Sequence, residues 1–167
     1  LLIIVGIFIY NHSKLKKKNE KIFAHFNELD KYLSQISNLS DQVKNKQKPE
    51  EPSLFEKINS YLTESEYFCD PSISRESLAS KLGTNRQYLT QAIQDNTGKT
   101  FMEYIYDMRL EYARRLLSYH QDLTINEIYS MAGFNSKSNF YRLFKQKYDI
   151  TPKELQDIAI QNSKNNK

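Results

Sequence analysis

Hydrophobic and polar positions alternate in four different ways along the chain. Residues 1–10, LLIIVGIFIY, are apolar without a break. Next, Ile22, Phe26, Leu29, Leu33, Ile36, Ser40 and Val43 follow one another at steps of four and three. That spacing is the a/d seam of a heptad helix, with one polar break at Ser40. KNKQKPEEPS, with Pro49 and Pro52, then ends the helix and reads as a linker. From Ser53 onward the apolar residues recur at helical spacing in short runs, and no run alternates as a strand does. The pattern predicts an all-α chain.

Within that last region one unit occurs twice. Leu54, Ile58, Tyr61 and Leu62 share a face of a helix over about 54–65, and YFCDPSI connects it to the next element. Ser74 precedes RESLASKLG, whose helix ends at Gly83, and Asn85 is placed to cap RQYLTQAIQDN. About fifty residues later Thr124 can cap INEIYSMA, with Glu127 completing a capping box. Gly133 closes that helix and Ser136 caps KSNFYRLFKQKY. Two helices joined by a short glycine-containing turn are what a helix-turn-helix requires, here over about 74–96 and 124–148. Between the copies FMEYIYDMRLEYARRLL forms a rod of about 25 Å, with Phe101, Tyr104, Ile105, Met108, Ala113, Leu116 and Leu117 as its apolar stripe.

Each second helix has two faces. Phe140, Leu143 and Phe144 define the inner side of one, which leaves Ser138, Arg142 and Lys145 opposite and Asn139 and Tyr141 on the flanks, with Lys137 in the first turn. Leu89, Ala92 and Ile93 turn inward in the other, leaving Gln87, Gln91 and Gln94 outward with Arg86 and Thr90 beside them. Arginine can donate twice to guanine, and glutamine or asparagine can pair with adenine. Lys137, Lys145, the hydroxyls and the capped helix ends suit phosphates. The candidate DNA-binding residues are therefore Arg86, Gln87, Thr90, Gln91, Lys137, Ser138, Asn139, Tyr141, Arg142 and Lys145. A polar outer face is also common to any amphipathic surface helix, so a protein-interaction module is the alternative.

Charge and composition narrow the choice. The net charge is +4, and residues 54–73 carry one Lys against four Asp/Glu, so cation placement matters more than bulk charge. One cysteine, Cys69, excludes an intrachain disulfide and reads as a buried small apolar residue in a reducing compartment. His12, His25 and His120 are too far apart in sequence to suggest a metal cluster, and surface roles are expected for them. No carboxylate pair, activated nucleophile or phosphate loop stands out, so neither catalytic residues nor a cofactor are expected. Arg109 on the long helix reads as a structural partner for a carboxylate or carbonyl.

Ten apolar residues reach about 15 Å as a helix, half of a bilayer core. The cations Lys14, Lys16, Lys17 and Lys18 follow this run, whereas a secretory signal places them before it. The expectation is a C-terminal fragment of a longer protein that begins partway through a transmembrane helix, with the rest facing the cytosol. An apolar helix packed on the domain or on a partner is the alternative. The heptads suit a parallel homodimer through residues 22–43, or a helix folded back on its own domain.

Residues 70–157 resemble the AraC/XylS family DNA-binding domain. The resemblance rests on LA, LG, YL, TG, F, Y, RL, A and LL within ISRESLASKLGTNRQYLTQAIQDNTGKTFMEYIYDMRLEYARRLL, and on GF, F, R, FK and TP within INEIYSMAGFNSKSNFYRLFKQKYDITP. It implies a sequence-specific transcriptional regulator whose two recognition helices enter successive major grooves of double-stranded DNA. The apolar run and heptads ahead of it are similar to members tethered to the membrane, with the DNA-binding domain in the bacterial cytoplasm. Three positions depart from the family pattern: Tyr129 where a small alanine is usual, Asp149 where glycine is frequent, and Leu155–Gln156 where an aromatic and arginine are common. The expected organisation is thus a partial transmembrane helix (1–13), a juxtamembrane heptad helix (14–47), a linker (48–53), an AraC-type DNA-binding domain (54–160) and a disordered tail (161–167).

Overall fold

The computed structural model describes residues 17, 21–22, 24–37 and 51–165, and among them the regular elements are all helical. The expected partial transmembrane helix over 1–13 lies outside the described residues. No helix among the described residues is long and apolar enough to cross a membrane. Helix α1 covers 24–37, where Leu29, Leu33 and Ile36 of the heptad seam are 48%, 50% and 61% exposed. Ser40 and Val43 fall outside the described residues.

The remaining elements are α2 (Leu54–Ser65), a 3-10 turn (Tyr67–Cys69), α3 (Arg75–Lys81), α4 (Arg86–Thr97), α5 (Phe101–Tyr119), α6 (Ile125–Met131), α7 (Lys137–Tyr148) and α8 (Pro152–Asn165). Both repeats lie in one compact unit, Glu50–Pro152. Helix α8 continues to Asn165, so most of the stretch read as a disordered tail is helical. Its polar end QNSKN masks a helix whose apolar side, with Leu155, Ile158 and Ala159, is buried further back. Leu155 and Gln156 are themselves buried, the departure from an aromatic–arginine pair notwithstanding.

The repeat is visible in lengths and turns. Helices α3 and α6 have 7 residues each, and α4 and α7 have 12 each. Both first helices end alike: Gly83 and Gly133 are left-handed, at φ 64° and 78°. Thr84 N–H then donates to the Ala79 carbonyl and Phe134 N–H to the Tyr129 carbonyl, closing the same six-residue loop. The capping residues named from sequence all act: Ser74, Asn85, Thr124 and Ser136 accept from the third backbone N–H of their helices. Asp149, in the position where glycine is frequent, takes the left-handed conformation at φ 59° and ends α7. Tyr129 is half-buried, its ring 6.2 Å from that of Phe140, while Ala132 beside the turn is fully buried. The bulky side chain is thus taken up at the edge of the α6–α7 contact.

Helix α5 packs against α4 and the 3-10 turn, and also against α6 and α7. The first core gathers Ile58, Leu62, Leu78, Leu89, Ile93 and Ile105. In the second unit Phe134, Phe140, Phe144 and Tyr148 form a chain of rings with centroids 5.1, 5.5 and 4.7 Å apart. Because α5 has neighbours on more than one side, Arg109, Leu110, Arg114 and Ser118 are buried in addition to most of the stripe read from sequence, and Met108 is only half-buried.

One cluster joins the two units. Arg109 is 4% exposed, donates from Nε to the Phe68 carbonyl at 2.6 Å and from Nη2 to the Asp70 carbonyl at 2.8 Å. Its guanidinium lies about 6 Å from the rings of Tyr106 and Phe134, which stack on each other at 5.8 Å. Gly133 sits against the same connector: a Cβ there would lie 2.8 Å from the Cys69 carbonyl carbon. Cys69 is half-buried rather than buried, and burial, with Glu66 nearby, pushes its thiol up to about 11 against the opposing pull of Arg109. The thiol is therefore protonated at neutral pH, in keeping with a packing role.

A second tie is ionic. Arg114 donates to Glu111 Oε1 from Nε at 3.0 Å and from Nη2 at 2.6 Å, and Tyr148 Oη donates to Glu111 Oε2 at 3.0 Å. Burial raises the Glu111 carboxyl, but the Arg114 bonds and charge and the Tyr148 hydroxyl outweigh it and hold the group below its ordinary value.

This packing sets the expected cost of three substitutions. Gly133→Ala must adopt a positive φ and displace backbone, so it is expected to lower unfolding free energy by about 3 kcal/mol or more. Gly83→Ala, with open space around its Cβ position, is expected to cost only about 1 kcal/mol, and urea titration of both variants measures the difference. Glu111→Gln is expected to destabilise by about 2 kcal/mol at pH 7, between the cost of breaking an exposed pair and that of breaking a buried one, because the Arg114 side chain is 3% exposed and that of Glu111 34%. A depressed carboxyl stabilises the fold above its unfolded value near 4.5 and loses that contribution as pH falls through the folded value. The gap between wild type and Glu111→Gln should accordingly narrow as pH falls below about 4.5.

Candidate nucleic-acid interface

The second helix of each repeat is held by its inner face. Leu89 and Ile93 of α4, and Phe140 and Phe144 of α7, have no exposed surface, so rotation of either helix about its axis would expose core. What remains outward follows from the 100° step between residues. Arg86, Gln87 and Gln91 on α4 are exposed, as are Lys137, Ser138, Arg142 and Lys145 on α7. Thr90, Asn139 and Tyr141 are half-buried, on the flanks of those faces.

A groove beside α4 is lined by Arg75, Arg86, Gln87, Thr90 and Gln91. It brings four of the sequence-selected residues together with Arg75, which is not among those selected from sequence. Tyr88 was also missed, although 64% of it is exposed on the side of α4 toward Asp95.

Several of these side chains already have partners. Arg86 Nη1 donates to Glu76 Oε1 at 3.2 Å, tying α4 to α3. The Glu76 backbone N–H and Arg86 together hold that carboxyl below the usual range. Thr90 Oγ1 donates to the Arg86 carbonyl at 2.8 Å, so its proton is spent inside the helix. Gln91 Nε2 donates to Asp95 Oδ1 at 2.6 Å. On α7, Arg142 Nη2 donates to Asn139 Oδ1 at 2.8 Å, and the Lys137 ammonium lies 5.9 Å from the Tyr141 ring centre.

Asp107 of α5 connects the far ends of both outward helices. It accepts from Lys147 Nζ in the last turn of α7 at 2.6 Å and from Lys99, just past the end of α4. Burial raises this carboxyl and the two ammonium groups more than compensate, holding it low. Among the described residues no group of three or more His, Cys, Asp or Glu could hold a metal ion.

A duplicated, capped helix pair with polar outer faces on a shared central helix is the frame of a helix-turn-helix DNA-binding protein. A family model describing a helix-turn-helix domain matches residues 78–158. The chain is 40% identical over 77 residues to the xylose operon regulatory protein of Escherichia coli K12, covering 46% of this chain and 19% of that protein. It is 32% identical over 85 residues to PqrA of Proteus vulgaris, a probable transcription factor, covering 51% of this chain and 69% of that one. A crystal structure of an AraC-type transcriptional regulator from Chromobacterium violaceum superposes with a TM-score of 0.54 at 25% identity, over 63% of this chain and 93% of that one. The chain belongs to the AraC family of DNA-binding transcriptional regulators. It spans about a fifth of the length of the xylose operon regulatory protein.

Proposed function

We propose that the protein is a membrane-tethered, sequence-specific regulator that inserts α4 and α7 into successive major grooves of one DNA duplex. The observation that carries this reading is the pairing of two equal 12-residue helices, each locked by a buried inner face, on the single helix α5. Nineteen residues make α5 about 28 Å long, and successive major-groove faces are about 34 Å apart. Arg86, Gln87, Gln91, Ser138 and Arg142 face the bases in this arrangement. Lys137, Lys145 and the capped helix ends take phosphates, with Thr90, Asn139 and Tyr141 at the margins.

The tether rests on the sequence of residues 1–18, an apolar run followed by a lysine cluster, and places the DNA-binding unit in the cytoplasm. Dimerisation through 22–43 is supported by the solvent exposure of Leu29, Leu33 and Ile36, whose heptad spacing suits a second identical helix.

Arg142→Ala is expected to relax preference at one base pair by about 1–3 kcal/mol. Lys137→Ala should weaken all duplexes alike and lower the slope of log affinity against log salt by about 1. Gel-shift titrations at several salt concentrations measure both, and unchanged binding after loss of both outward faces would refute the recognition assignment. For the tether, the protein as its own cell makes it is expected in the membrane pellet, and removal of the apolar segment through residue 13 should move it to the soluble fraction. Disulfide trapping of Leu33→Cys as a dimer checks the heptad seam.

A further inference from the structure

We propose that Asp95 and Asn139 are positioning residues that set which base each recognition helix accepts: Asp95 makes Gln91 an adenine-reading group, and Asn139 holds Arg142 for guanine. This rests on the assignment of α4 and α7 as the recognition helices.

A glutamine amide has a donating nitrogen and an accepting oxygen, and free rotation can present them in either order. Asp95 removes that freedom. Its carboxylate accepts only, and it lies one helical turn along the same face, 2.6 Å from Gln91 Nε2. Reversal of the amide would bring the Gln91 carbonyl oxygen against a carboxylate, which is repulsive. With Nε2 toward Asp95, one N–H and the carbonyl oxygen of Gln91 remain side by side. That donor–acceptor edge complements adenine N7 and N6.

The same logic applies on α7 with other atoms. The Asn139 carbonyl oxygen accepts from Arg142 Nη2 at 2.8 Å, which uses one of five guanidinium protons and leaves enough for a bidentate contact with guanine O6 and N7. Asn139 is half-buried and its backbone N–H is engaged by the Ser136 cap, so it is held as a support. It therefore orients the arginine and is not itself a base contact. The two units become unlike: the first asks for adenine, the second for guanine.

The test is selection of duplexes from a random library by the full chain, followed by competition with all four base pairs at each selected position. Wild type is expected to require adenine at one position and guanine at another about one helical turn away. Asp95→Ala and Asp95→Asn should each lower the adenine preference about fivefold without loss of total binding to the pool. Asn139→Ala should lower the guanine preference about fivefold, and Asn139→Asp, which keeps the acceptor, should restore it. Adenine preference retained in both Asp95 variants but lost in Gln91→Ala would overturn the role of Asp95. A cytosine preference lost on Asp95→Ala would show Asp95 to be a direct base contact, and an adenine preference lost on Asn139→Asp would show the same of Asn139. If Gln91→Ala and Arg142→Ala left every preference intact, the recognition assignment itself would fail.

Discussion

The buried guanidinium of Arg109 holds the two halves of the DNA-binding unit in one piece. A cation with 4% exposure is tolerated only if its protons are accepted, and the carbonyls of Phe68 and Asp70 accept them. Those carbonyls belong to the connector after α2, whereas Phe134, packed by the same guanidinium, belongs to the second helix-turn-helix. Gly133 lets that second turn approach the Cys69 backbone more closely than any side chain allows. One charge and one missing Cβ thus bring the connector after α2 and the second helix-turn-helix together.

Within that frame, α4 and α7 each have a buried inner face and a polar outer one. Inner residues such as Leu89 and Phe144 prevent rotation, and Asp107, through Lys99 and Lys147, ties the ends of both helices to α5. The outward polar groups are few and largely arranged before any DNA arrives. Pre-arrangement lowers the entropy lost when long side chains are fixed on binding, which is where exposed glutamine and arginine otherwise lose most.

Much of this was legible in the residue order because capping and amphipathicity are local. Ser74, Asn85, Thr124 and Ser136 mark helix starts through side chains that reach only three residues ahead, and Gly83 and Gly133 mark ends through backbone conformation. The outward residues followed from a fixed angular step once Leu89 and Phe140 were placed inside. Arg75 and Tyr88 escaped notice because their exposure depends on where the neighbouring helix leaves room, not on their own helix. The half-burial of Thr90, Asn139 and Tyr141, by contrast, agrees with the flank positions that the angular step gives them. Continuation of α8 to Asn165 was missed for a different reason, since its last turn is polar and only its earlier apolar side signals a helix.

By itself, the sequence determined the helical class, the duplication, the caps and the two faces of each recognition helix, since each depends on residues within one or two turns of one another. Only the tertiary structure decided that Gly133 must accommodate Cys69, and that Arg109 spends its protons on the connector at Phe68 and Asp70. It also decided that Lys99 and Lys147 share Asp107. These contacts link residues about 8 to 64 positions apart, and no local spacing rule specifies which distant backbone a packed helix will meet.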